Sequence, residues 1–291
     1  GETNVAYAPL SYVGGGGYNY NSGYAAVIAG GQWNTATASY SYVGGGGYNA
    51  VLGTWSTILG GWGNIVYSGA DSVAIGGGMY NRVYNDYSVV GGGQYHRVYS
   101  PYTVVLGGYS NYAAGYGSAI LGGNSNSVSG VYTVITGGVN NGISGDYASI
   151  QGGDNNNALG DYAAMGGGYD NGAYGSYSTV GGGRYNYAVG AFSIVGGGQY
   201  NNVYEDYGVI GGGAYNNVYT EISTIAGGTS NYVYGYAGTI GGGNSNTVYG
   251  DGATVIGGYT NLAGADFTVV AGYDNTLSVA HTVIGGGWYN V

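Results

Sequence analysis

The sequence predicts an all-β chain, a single parallel β-solenoid of about twenty 15-residue coils with two short strands in each coil. Three observations carry that prediction. The motif Gly-Gly-x-x-Asn recurs at a near-constant spacing of 15 residues from one end of the chain to the other. Counted from that Asn, apolar and small residues hold the even positions while Tyr collects at odd ones, and a period of two is the strand period. The 291 residues include 69 Gly and 38 Tyr but only 13 acidic and 3 basic side chains. An ordinary globular domain has about 7 % Gly and about 25 % charged residues.

The repeat is regular enough to number. Taking the Asn as position 0, the slots run Asn4, Asn19, Asn34 and onward to Asn290, twenty in all. The step departs from 15 twice, with 17 between Asn64 and Asn81 and 14 between Asn261 and Asn275. His96 fills the one slot that lacks Asn. Position −3 is Gly throughout, beginning with Gly1, and position −6 is Val or Ile apart from Met165. Position +2 is Ala, Val, Ile or Leu except at Asn21. Residues 1–291 therefore form one continuous array with no linker, and the end slots read as consensus coils rather than separate caps.

Each element of the coil follows from these positions. Two strands are expected, over −9 to −5 and −1 to +3, separated by Gly-rich corners at −4/−3 and near +4. A 15-residue unit this rich in Gly and β-branched residues excludes a helical hairpin. One coil buries nothing alone, so coils must stack at about 4.8 Å, giving a rod of roughly 95 Å. Even positions point inward as a thin aliphatic core. The Asn column forms an inward ladder in which side-chain amides bond each other and the corner backbone. His96 reads as a member of that ladder rather than as a catalytic base.

The odd positions carry three Tyr columns: −1 (such as Tyr80, Tyr95, Tyr200), +3 (such as Tyr84, Tyr99, Tyr234) and −9 (such as Tyr87, Tyr162, Tyr177). They are expected to point outward and to stack, each pair adding about 0.2–1 kcal/mol. Contiguous aromatic surface of this extent is rare on a soluble monomer, so at least one column should meet another copy, another chain or a glycan.

Acidic residues gather in one corner: Asp86, Asp146, Asp161, Asp206, Glu221, Asp251 and Asp266, with Glu205 adjacent. Calcium between successive corners is one reading, but the spacing lacks the Gly-Gly-x-Gly-x-Asp pattern of calcium-binding rolls. Solvated charges that deter sheet-to-sheet aggregation are the favoured one. Arg82 and Arg97 share position +1 on neighbouring coils and are read as solvated or neutralised by Asp86.

The net charge of −10 and three basic residues leave no surface for nucleic-acid phosphates. No apolar run is long enough for a membrane span. With two His (His96 and His281), no Lys and no Cys, no catalytic constellation assembles, and the Gly pairs lack the Lys-Ser/Thr of a phosphate loop. The chain is read as not an enzyme, with no catalytic, cofactor-binding or metal-binding residues and no cofactor.

Ser72-Val73-Ala74-Ile75-Gly76, Ser88-Val89-Val90-Gly91 and Ser193-Ile194-Val195-Gly196 resemble the head repeats of trimeric autotransporter adhesins, the YadA-like heads, and Gly-rich β-solenoid fibre proteins. The resemblance covers the whole chain at the level of the repeat. It implies a left-handed parallel β-roll, often trimeric, displayed outside the cell. This repeat is longer than the family's and far richer in Tyr.

The function expected from these readings is an extracellular or cell-surface structural fibre, assembled by head-to-tail stacking or lateral packing of solenoids. The alternatives are a trimeric adhesin or phage-fibre shaft that binds glycans or receptors, and an ice-binding solenoid. The last usually needs a regular Thr ladder, and Thr is scattered here.

Overall fold

In the computed structural model, which describes residues 2–291, the chain is an all-β parallel β-solenoid with two strands per coil. It divides into two compact units, Gly1–Ile143 and Ser144–Val291, each built from the same coil. Gly1, the first residue of the invariant Gly column, lies outside the described residues. Twenty Asn slots delimit nineteen strand pairs among the described residues, because each pair lies between two successive slots.

The strands are shorter than the alternation suggests. In the first unit one ladder runs Val5–Ala6, Tyr20–Asn21, Thr35–Ala36 and onward, at positions +1 and +2. The other runs Tyr12–Val13, Val27–Ile28, Tyr42–Val43 and onward, at −7 and −6. Both pair in parallel with the next coil in strict register, as in Val27↔Tyr42 and Ala50↔Ile65. Single-residue bridges at −2 add a third line of pairing, as in Gln32↔Gly47 and Gly47↔Trp62. The second unit repeats this pattern, with Asn202–Val203 paired to Asn217–Val218 and Ile194–Val195 to Val209–Ile210.

Positions −9 and −1, expected inside strands, are corners. The non-Gly residues with positive φ all fall at these two positions or their local equivalents, among them Tyr40 (φ 58°), Tyr48 (φ 56°), Tyr162 (φ 59°) and Tyr200 (φ 56°). A left-handed residue turns the chain while its side chain still faces solvent. In-and-out alternation therefore runs unbroken from the corner residue into the strand, as in exposed Tyr40, buried Ser41, exposed Tyr42 and buried Val43, and cannot mark where the strand starts.

Positions −8, −6, 0 and +2 are the interior, as their composition predicts, but the even position −2 faces outward, with Trp62 43 % and Tyr109 49 % exposed. Ile28, Ile58, Val90 and Ile120 at −6, and Val51, Val83 and Val128 at +2, are fully buried. Asn21, the polar exception at +2, is buried with its amide donated to the Tyr12 carbonyl at 3.1 Å and the Ala26 carbonyl at 2.8 Å. The column at −3 is explained twice over. Gly108 has φ +95°, and a Cβ there would lie 2.1 Å from the carbonyl oxygen of Gly123 on the next coil. Both the corner's hand and the spacing between coils exclude a side chain.

The Asn ladder ties the coils together. Asn64 Oδ1 accepts from the Asn81 backbone N–H at 3.0 Å. Its amide donates to the carbonyls of Gly60 (3.2 Å) and Gly78 (3.0 Å) and to Asn49 Oδ1 (3.1 Å). Both irregular steps are absorbed locally. The two extra residues lie between the consecutive strands Ile65–Val66 and Ala74–Ile75, one from each ladder, in the turn at Ser68 and Gly69 (φ +84°). The missing residue of the 14-residue step leaves Ile256 as a bulge, 58 % exposed, between Val255↔Val270 and Gly257↔Ala271. Val270, one place after the residue that simple counting puts at −6, therefore takes the core position.

Candidate functional surface

The outward columns are the dominant surface feature. In the second unit Tyr147, Tyr162, Tyr177, Phe192 and Tyr207 form one stack, with centroids 4.7–5.1 Å apart and ring planes within 7° of parallel. Tyr204, Tyr219, Tyr234 and Tyr249 form a second stack at 4.8–4.9 Å. Tyr185, Tyr200 and Tyr215 form a third. The first unit holds shorter runs, such as Tyr67, Tyr84 and Tyr99 at 4.2 and 4.5 Å, broken where Ser or Ala replaces the ring.

The coil spacing sets this geometry. Parallel in-register pairing repeats every side chain at about 4.8 Å, which is also a ring-stacking distance. At the −1 and −9 corners the stack has a further consequence. A Tyr in the left-handed region costs about 1–2 kcal/mol, and stacking with its neighbours returns about 0.5–1.5 kcal/mol per pair beyond area burial. Aromatic residues therefore hold corners where Gly would fit without strain, as it does at Gly63, Gly117 and Gly252. Packing among the rings also disfavours ionisation. Partial burial, with hydrogen bonding to Tyr67 and Tyr99, pushes the Tyr84 phenol up to about 12, and Tyr187, half-buried and beside Asp170, also rises to about 12.

Stacking does not cover the columns. Tyr147, Tyr162, Tyr177, Phe192 and Tyr207 remain 45–55 % exposed, so their outer edges form a continuous apolar and phenolic ridge.

The acidic corner has a structural role that its spacing alone did not reveal. Asp161 Oδ1 accepts the backbone N–H of Asp146 at 2.9 Å, and Asp206 Oδ1 accepts that of Ala191 at 2.7 Å. Asp251 and Asp266 accept from Tyr236 and Asp251 in the same way, as do Asp71 and Asp86 from Thr54 and Asp71. These carboxylates are clips between coils rather than purely solvated charges. The signal was present in the sequence, since every one of them occupies the same corner position one residue before the left-handed turn, where an N–H of the preceding coil needs an acceptor. Among the described residues no group of three His, Cys, Asp or Glu is arranged to hold a metal ion.

His96 occupies its ladder slot fully buried. Its Nδ1 accepts from the Asn111 backbone N–H at 3.2 Å, and its own backbone N–H donates to Asn81 Oδ1 at 3.1 Å. Nε2 is buried without a hydrogen-bond partner. Burial lowers the His96 pKa, and the nearby Gly108 backbone only partly opposes that shift. His281 is at an exposed corner, stacked on Phe267 at 5.3 Å. Arg82 and Arg97 lie side by side in register. Among the described residues neither forms an ion pair with Asp86, whose Oδ1 accepts the Asp71 backbone N–H. Arg184, the third cation, lies over the rings of Tyr185 (4.9 Å) and Tyr169 (5.6 Å). No helix among the described residues is long and apolar enough to cross a membrane.

Neither a protein-family model nor a curated protein matches the chain.

Proposed function

We propose that this chain is a structural fibre protein of the extracellular or cell-surface space, whose solenoids associate side by side with other copies through their aromatic columns. The observation that carries this reading is the stack from Tyr147 to Tyr207, whose rings remain about half exposed although each packs on its neighbours. A monomer gains little from such a ridge beyond the stacking itself. Two ridges brought together would bury the outer ring edges while each phenol kept a hydrogen-bond partner. The regular spacing favours a copy of the same chain, since an identical ridge matches it ring for ring. Display outside the cell follows from the resemblance to adhesin heads.

The test is electron microscopy and sedimentation of the purified chain across a wide concentration range. Filaments or lateral bundles are expected, and they should be lost when Tyr162, Tyr177 and Tyr207 are replaced by Asn, a polar residue that tolerates the left-handed corner. Dispersed monomers at high concentration would sink the proposal.

A further inference from the structure

Two of the chain's three cations sit at one place, and the coil gives no structural reason for them. Arg82 and Arg97 are direct cross-strand partners on adjacent coils. Like charges directly opposite on paired strands are unfavourable. The next coils place Tyr112, Ser127 and Gly142 at the same position, so nothing in the repeat demands a guanidinium there. Arg82 Nε is buried and has no hydrogen-bond partner.

The surroundings form a cleft. On one side Tyr80 and Tyr95 stack at 5.4 Å. At the next coil that column holds Ser110 in place of Tyr. Tyr109 there meets Tyr95 edge-on at 5.5 Å, and Tyr112 tilts against Tyr99 at 5.2 Å. This break in the column closes one end of a cleft of about 260 Å³, walled by both Arg, by Tyr80, Tyr95, Tyr109 and Tyr112, and by Ser110, with no carboxylate among them. Its volume lies just below the range of about 300–1,000 Å³ of drug-sized pockets, which suits one small ring rather than a macromolecular surface.

From this arrangement we infer that the cleft binds a carboxylated sugar ring, a uronic acid residue. The paired guanidinium groups present planar donor forks to one carboxylate, whose charge relieves the repulsion between them. The Tyr walls offer apolar edges to the ring, while their phenols and the Ser110 hydroxyl can bond its hydroxyl groups. The chain's net charge of −10 repels polyanions in general, so an acidic ligand must be held by this cleft rather than by diffuse attraction. The inference is separate from the fibre proposal, since that proposal rests on the stack from Tyr147 to Tyr207, none of which lines the cleft.

Titration calorimetry or ligand-observed NMR with glucuronate and galacturonate, against glucose, galactose and glucose 6-phosphate, tests it on the full chain. The two uronates should bind, and the neutral sugars should bind at least roughly tenfold more weakly. Arg82→Gln and Arg97→Gln should each weaken uronate binding by about tenfold or more. Arg97→Lys, which keeps the charge but loses the fork, should fall between. Arg184→Gln should bind as the parent does, and circular dichroism would confirm that each variant keeps its fold. Equal binding of acidic and neutral sugars would overturn the inference, as would uronate binding unchanged in both Arg→Gln variants. Tighter binding of the sugar phosphate would reassign the cleft to phosphate. Absent uronate binding would also overturn it, and self-association lost in Arg97→Gln would then assign the cleft to the carboxylates of a second copy.

Discussion

Replacing Gly108 with Ala tests the stacking logic of the coil most directly, because its neighbour Gly107 supplies a matched control. The Cβ introduced by Gly108→Ala would lie 2.1 Å from the Gly123 carbonyl oxygen and 2.8 Å from the Gly123 nitrogen. A gap of roughly 1 Å must therefore open between two coils before the contact becomes tolerable. That gap breaks the Tyr109 N–H to Gly123 carbonyl bond (2.9 Å) and the Asn111 amide bond to the same oxygen (3.2 Å). Two hydrogen bonds at about 1 kcal/mol each, with about 1–2 kcal/mol for a side chain at φ +95°, give a cost of about 3–4 kcal/mol. A Cβ on Gly107 meets nothing within 4 Å, and Gly107→Ala should shift stability by no more than about 1 kcal/mol, in the stabilising direction. Repeat arrays need not unfold in one step, so amide hydrogen exchange around Tyr109, Asn111 and Asn126 is the appropriate assay. Gly108→Ala should speed exchange there by about 10²–10³-fold, with Gly107→Ala near the parent rate. Similar effects from the two substitutions, or a cost below about 1 kcal/mol for Gly108→Ala, would refute the reasoning.

Three further outcomes are expected. His96→Asn restores an amide that can reach the Gly92 and Gly108 carbonyls, and should stabilise its coil by about 1–2 kcal/mol by chemical denaturation; a destabilised variant would show that the ring's packing matters more than the missing donor. Because burial lowers the His96 pKa, the unfolded chain takes the proton first, so the stability this group contributes is present above about pH 6.5 and lost as pH falls through its folded value; that share of acid sensitivity should vanish in His96→Asn. For Tyr84 and Tyr187, raised to about 12, the sign reverses: their contribution is complete below about pH 10 and lost between about pH 10 and 12, and phenolate absorbance together with melting temperature would show Tyr84→Phe losing part of that alkaline decline. At the Tyr162 corner (φ 59°), Ala loses both ring stacks and keeps the strain, whereas Gly loses the stacks and relieves it; Tyr162→Gly should therefore be more stable than Tyr162→Ala by about 1 kcal/mol, and the usual strand order, Ala above Gly, would contradict the corner assignment.

The sequence by itself determined the architecture. A 15-residue period with Val or Ile at −6, Ala or Val at +2 and Asn at 0 admits one solution, because only stacked coils bury such short apolar rows, and the outward direction of the Tyr columns follows from the same alternation. The tertiary structure decided what depends on contact between coils. Tyr40 and Tyr48 share the parity of strand residues yet sit at left-handed corners, since alternation in sequence reports which way a side chain faces and not the backbone hand beneath it. The Asp161 and Asp206 carboxylates look like solvated corner charges until the preceding coil brings an N–H to each. Arg82 and Arg97 share a repeat position in the sequence, but Tyr109 and Ser110 hold different ones, and all four line one cleft only because parallel in-register pairing stacks successive coils side by side.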